Sequence, residues 1–279
     1  MIKPLVLVTA PIETRSGYGN HSRDICQALI ETDKYDVRIQ SVRWGSTPPT
    51  ALEKDNPIHQ EINRRIITQQ KLERQPDLHF HIVIPNEFQS IAKVNVGITA
   101  GIEHTIPPGT WLEGCNRMDM TIFTSEFSRD CFKNIEFDKL DNNTKKVIGK
   151  LKLEKPTEVL FEGADTNIYK ETKEISDNLK KQFSRIKEDF CFLFTGHWLS
   201  GNLGEDRKDI GMMLKVFYTM FKNQKNPPAL ILKTSGAGFS IIDRNEMMKK
   251  INLVKDSMKV DKLPNVYLLH GDLSDEEMN

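Results

Sequence analysis

The sequence predicts a doubly wound α/β protein on three observations. Short apolar runs recur along the chain, charged or amphipathic stretches of helical period separate them, and Gly or Pro closes several of the runs. Strands alternating with helices imply a parallel sheet covered on both faces.

The first unit of this pattern is the most informative. Leu5-Val6-Leu7-Val8 reads as a buried strand, Ser16-Gly17-Tyr18-Gly19-Asn20 as a turn, and a helix is expected from near His21 or Ser22. Ile25, Ala28 and Leu29 share one helical face, and Asn20 or Ser22 can cap the first turn. Glycine lets a backbone approach a phosphate closely, and a helix N-terminus offers N–H groups to it. The order points to a nucleotide-type ligand. A tight turn without a ligand is the alternative, because a full dinucleotide fingerprint needs a third glycine and a downstream acid.

Further elements follow. Val37–Val42 alternates in polarity as a strand does, residues 46–60 with Pro48, Pro49 and Pro57 read as a loop, and Glu61–Arg74 is helix-compatible. Strands are expected at His79–Ile84, which Pro85 ends, and at Val94–Thr99, Thr121–Thr124 and Val159–Phe161. Glu171–Asp189 mixes both charge signs and is read as a solvated linker helix between an N-terminal domain, residues 1–170, and a second domain, residues 190–279. In the latter, Cys191–Gly196 is a strand ending in glycine. Asp209–Phe221 is a helix with Ile210, Met213, Leu214, Phe217 and Phe221 on one face, and Leu230–Lys233 and Val266–Leu269 are strands.

Composition bounds the function. The 279 residues suit about two domains of roughly 100–200 residues each. Lys+Arg and Asp+Glu are both 39, so net charge gives no general attraction to nucleic acid or an anionic membrane. No apolar run reaches the ~20 residues of a membrane span, and no signal peptide precedes the first strand, so the expectation is a cytoplasmic protein. Cys26, Cys115, Cys131 and Cys191 lack metal-ligand spacing and read as reduced core thiols. His79 and His81 share a strand face but have no acidic or thiol partner nearby in sequence, so no metal is expected. Trp44 and Trp111 are read as packing residues.

The second domain offers three strands where a doubly wound nucleotide domain usually has five or six, so the chain is expected to stop partway through it. Its last residues, Asp272–Glu277, resemble a helix N-terminus with a capping Ser274 and an acidic first turn.

Taken together, the motifs resemble the retaining glycosyltransferases of the GT-B architecture (glycosyl transferases group 1, family 4-like), in which two Rossmann-like domains face a cleft. The resemblance rests on Gly101-Ile102-Glu103, Ile106-Pro107, Trp111, Asn116, Met118-Asp119 and Ser125-Glu126-Phe127-Ser128-Arg129, followed by Val159–Asp165 with Tyr169. It implies roles for individual residues. Glu103, with His104, would be catalytic, orienting sugar or acceptor hydroxyls; the family's histidine position three residues before the glutamate is Ala100 here. Gly17, Tyr18 and Gly19 would line the donor phosphates, with Arg207, Lys208 and Lys233 supplying cations, and Asn20 and Ser125 would stand on the acceptor side. The family's Glu, seven residues, Glu signature belongs after the point where this chain ends.

The implied chemistry is sugar transfer from a nucleotide-diphosphate sugar with retention of configuration. Arg207, Lys208 and helix N-termini would neutralise the leaving diphosphate, so neither cofactor nor metal is required. The acceptor stays open among sugars, lipids, proteins, metabolites and modified nucleobases, as does assembly into a homo-oligomer. Alternatives are a non-catalytic GT-B relic acting as a binding module, and an epimerase or phosphorylase on the same architecture.

Overall fold

The computed structural model describes residues 3–68, 72–101, 105–141, 143–199, 204–206, 208–236 and 238–279. The chain divides into two units, Met1–Gly163 and Ala164–Asn279.

In the first unit, β1 (Leu5–Ala10) is buried along its whole length, as a continuous apolar run in a parallel sheet should be. With β2 (Asp36–Ser41), β3 (Leu78–Ile82), β4 (Val94–Thr99), β5 (Met120–Phe123) and β8 (Thr157–Val159) it forms a six-stranded parallel sheet in the order β2-β1-β3-β4-β5-β8. Val8 stands opposite Ile39 on one side and Phe80 on the other. The helices α1 (Gly17–Glu31) and α2 (Pro57–Arg65) bring Cys26 and Ile62 against Val6, Val8, Val37, Ile39 and Ile98. On the opposite face α3 (Gly109–Arg117) and α4 (Glu126–Lys133) bring Leu112, Cys115 and Phe132 against Val83 and Phe123. Ile122 packs on the first cluster and its neighbour Phe123 belongs to the second, so helices cover both faces. Burial pushes the Cys26 and Cys115 thiols up to about 12, leaving them protonated and unreactive.

The bounds of three elements, α1, α2 and β8, differ clearly from the sequence expectation. The helix α1 starts at Gly17, because extended Ser16 accepts from the Gly19 amide and caps it, so the glycines form the first helical turn and do not precede it. The helix expected at Glu61–Arg74 is α2, starting at Pro57 inside the expected loop, where Asn56 accepts from the Ile58 and His59 amides. It ends at Arg65, since Ile66 turns extended and bridges Ile39. The strand expected at Val159–Phe161 lies two residues earlier, and Phe161 is exposed. A small antiparallel hairpin, β6 (Phe137–Leu140) with β7 (Val147–Leu151), occupies a stretch where the sequence suggested no element.

In the second unit β9 (Cys191–Thr195), β10 (Ala229–Lys233) and β11 (Val266–Leu269) are parallel in the order β11-β10-β9. Alternate residues serve opposite faces. Leu230 and Leu232 pack with Ile210, Leu214 and Phe217 of α6 (Ile210–Phe221) and Met247, Ile251 and Val254 of α7 (Ile241–Ser257), whereas Ile231 packs with Leu179, Leu269 and Leu273. Within the charged stretch 171–189 lies the seven-residue α5 (Asp177–Phe183), which contributes Leu179. The last residues form α8 (Asp275–Met278), whose capping box of Ser274 and Glu277 matches the sequence reading. No described helix is long and apolar enough to cross a membrane.

Candidate functional site

Open α/β sheets bind ligands beyond the carboxyl ends of their strands, at the point where strand order reverses. In the first unit this point lies between β1 and β3, and α1 begins there.

The N-terminus of α1 is fixed to β4. Tyr18 Oη shares a hydrogen bond with Thr99 Oγ1 at 2.9 Å and accepts from the Ala100 amide at 3.1 Å, and its ring lies 4.4 Å from that of Trp44. Gly19 is glycine for a packing reason, because a Cβ there would fall 2.1 Å from the Thr14 carbonyl oxygen. Gly17 faces open space, with nothing within 4 Å of such an atom. Asn20 Oδ1 accepts from Arg23, whose guanidinium also donates to the Ile12 and Thr14 carbonyls.

After β4 the chain turns at Gly101, whose φ of +80° favours glycine and whose missing side chain leaves room for Ser128. Ser128 Oγ donates to the Ala100 carbonyl, and Ser125 Oγ accepts the Ser128 amide as the cap of α4. Tyr18 and Ser125 are thereby joined through Ala100 and Ser128. Glu103 and His104 lie outside the described residues. Nearby in sequence to the α1 turn, His21 is buried and its Nε2 has no partner among the described residues, while Nδ1 lies 4.0 Å from Glu162.

In the second unit the strand ends gather a basic cluster. Lys208 packs over Gly196 at the end of β9, its Nζ 2.9 Å from where a Cβ would sit. Lys233, the last residue of β10, donates to the Gly271 carbonyl at 2.7 Å and stands over the Phe239 ring. Between them His197 is held below the ordinary histidine pKa, first by burial and then by the positive charges of Lys233 and Lys208. Its Nδ1 is 3.1 Å from Ser235 Oγ. Thr234 is buried, and its hydroxyl has no partner among the described residues. Arg207 lies outside the described residues. The start of α6 is secured by buried Asp206, whose Oδ2 accepts the Ile210 amide, while Asp209 takes a left-handed φ of 50°.

Sequence reasoning found Lys208 and Lys233 but passed over His197, Thr234, Ser235, Asp243 and His270. The strand-end rule applied to Gly196 would have found His197; the others meet only through strand order. A cavity of about 730 Å³ with mixed lining lies on the sheet face away from α6 and α7, where Leu179, Leu193, Ile231 and Leu269 meet Lys170, Lys233 and Glu277. Among the described residues no group of three or more metal-ligating side chains converges. His79 and His81 are instead engaged by Thr9 and Gln89.

Two parallel α/β units in one chain, the first doubly wound, place the protein in the GT-B-like α/β fold class. Among solved structures it is similar to one described as trehalose-6-phosphate from E. coli bound with UDP-2-fluoro glucose, at 12% identity over 99% of this chain and 75% of that one, with a TM-score of 0.52. It is likewise similar to trehalose-6-phosphate synthase, OtsA, at 12% identity, the same coverage and a TM-score of 0.51. No family model and no curated protein matches the sequence.

Proposed function

We propose that the protein is a glycosyltransferase that takes a nucleotide-diphosphate sugar as donor and transfers the sugar with retention to an acceptor hydroxyl. The observation that carries this reading is the convergence of Lys208, Lys233 and His197 at the carboxyl ends of β9 and β10. Two ammonium groups at the binding edge of a parallel sheet suit a diphosphate, whose charge grows as the sugar–phosphate bond breaks. A neutral His197 can still donate one hydrogen bond to a phosphate oxygen. The fold supports the reading, since one of the similar structures holds a fluorinated UDP-glucose.

In this reading Arg207 adds a third cation, and Gly17 leaves backbone exposed at the start of α1. Glu103 and His104 order sugar or acceptor hydroxyls, and Asn20 and Ser125 lie on the acceptor side. Cations do the work of charge neutralisation, so the reaction proceeds without a metal. The chain acts in the cytoplasm on this account, and residues 1–170 select the acceptor.

The test is turnover of UDP-, GDP- and ADP-sugars, followed by release of the nucleoside diphosphate, in the wild type and in Arg207→Ala with Lys208→Ala. Loss of at least a hundredfold in donor turnover is expected, in line with removal of preorganised charge from a transferring group. Undiminished hydrolysis and transfer in the double variant would refute the assignment.

A further inference from the structure

The turn after β10 is held by a buried side-chain hydrogen bond that donor neutralisation does not use. His270, the residue after β11, places Nε2 2.7 Å from Asp243 Oδ2, and the two side chains are 5% and 10% exposed. Asp243 sits in the first turn of α7, where Ser240 Oγ accepts its amide and the helix N-terminus favours a carboxylate. Both of its oxygens accept the Gly236 amide, at 3.0 and 3.1 Å. A Cβ on Gly236 would lie 2.5 Å from Oδ1, so the carboxylate is pressed against the turn backbone.

We infer that Asp243 and His270 are a positioning pair that sets the turn 234–236, and with it the groups that meet the donor diphosphate. The inference rests on the donor reading above. Two of the groups assigned to the diphosphate, His197 and Lys233, are tied to the pair within a residue or two. Thr234 and Ser235 precede Gly236, Ser235 holds His197, and Lys233 is anchored on Gly271, the neighbour of His270. The Phe239 ring touches both sides, 6.3 Å from the His270 ring and 5.7 Å from Lys233 Nζ. Their burial keeps Asp243 and His270 from contacting a ligand, so they act through the turn. His270 fixes the carboxylate and the carboxylate fixes the Gly236 amide, which removes a turn motion that binding would otherwise have to freeze.

His270→Phe keeps an aromatic ring, though a larger one, and loses the donor, His270→Gln restores an N–H, and Asp243→Ala removes the acceptor. Each is titrated calorimetrically with UDP, GDP and ADP, and exchange of the Gly236 amide is followed by NMR. His270→Phe and Asp243→Ala are expected to bind the preferred nucleotide at least tenfold more weakly with at least tenfold faster Gly236 exchange, and His270→Gln to return within about threefold of wild type. Wild-type affinity in His270→Phe overturns the positioning role alone. Failure of the wild type to bind any of the three nucleotides overturns the donor reading and this role with it. If Asp243→Ala does not fold, His270→Phe against His270→Gln decides the matter.

Discussion

Two buried histidines should make the first unit sensitive to mild acid. His79 and His81 are 1% and 5% exposed on β3, and burial, with the neighbouring ring as a second cause for His81, lowers their pKa values to about 4 and about 3. The unfolded rings bind protons near the ordinary value of about 6.5. Between those values the unfolded chain holds more protons than the folded one, so stability is complete above about pH 6.5 and falls as pH drops through the window. At pH 5 both folded rings are still neutral, and pH 5 lies about 1.5 below the unfolded value. At 1.36 kcal/mol per pH step the loss is about 2 kcal/mol per ring, or about 4 kcal/mol together. That is a large fraction of a typical domain's ~5–15 kcal/mol. Urea unfolding at pH 7 and pH 5, followed by circular dichroism, measures it. His81→Asn leaves an oxygen to accept the Gln89 amide that His81 Nδ1 now accepts, and it cannot titrate. It should lose about 2 kcal/mol less than wild type between the two pH values. An equal acid loss in His81→Asn would refute the reasoning.

Other predictions follow from the site geometry. Gly19→Ala should lower stability by roughly 2 kcal/mol or more, because its methyl would meet the Thr14 backbone, while Gly17→Ala should stay within about 0.5 kcal/mol; urea unfolding of both variants separates them. Ser125→Ala should cost about 1 kcal/mol of stability through the lost cap of α4, read from the same midpoint. Donor turnover should be unchanged by excess EDTA, since cationic side chains neutralise the leaving diphosphate in the proposed reaction; a chelator-sensitive rate that Mg²⁺ or Mn²⁺ restores would contradict it.

Much of the fold was legible in the sequence because its strands read as short apolar runs, whether fully buried like β1 or partly exposed like β9. The strands β4, β9 and β11 fall where Val94–Thr99, Cys191–Gly196 and Val266–Leu269 place them, to within a residue. The helix α7 escaped because exposed Ile241, Ile242 and Leu253 blur the stripe of Met247, Ile251 and Val254 that is buried. Helix starts were misplaced where a cap lay outside the suspected segment, as with Ser16 and Asn56.

The site was legible only in part, for a related reason. Lys208 and Lys233 stand at predictable element ends, but Asp243, His270 and Gly236 meet only because β10 and β11 are neighbours. Several residues that carried the family resemblance serve the fold. Asn116 holds the chain after β7 through Lys152 and Glu154, Asp119 accepts the Asn95 amide, and Ser125 caps α4. A motif shared across a fold thus reports local architecture as well as chemistry.

The central claim is that the strand ends of the second unit bind a nucleoside diphosphate. Calorimetric titration of the wild type and of Lys208→Ala with Lys233→Ala, using UDP, GDP and ADP at fixed ionic strength, tests it most directly. The account predicts saturable one-to-one binding of at least one nucleotide by the wild type, weakened at least tenfold in the double variant while its unfolding midpoint holds. Absence of binding by the wild type, or binding that ignores both lysines, would contradict it.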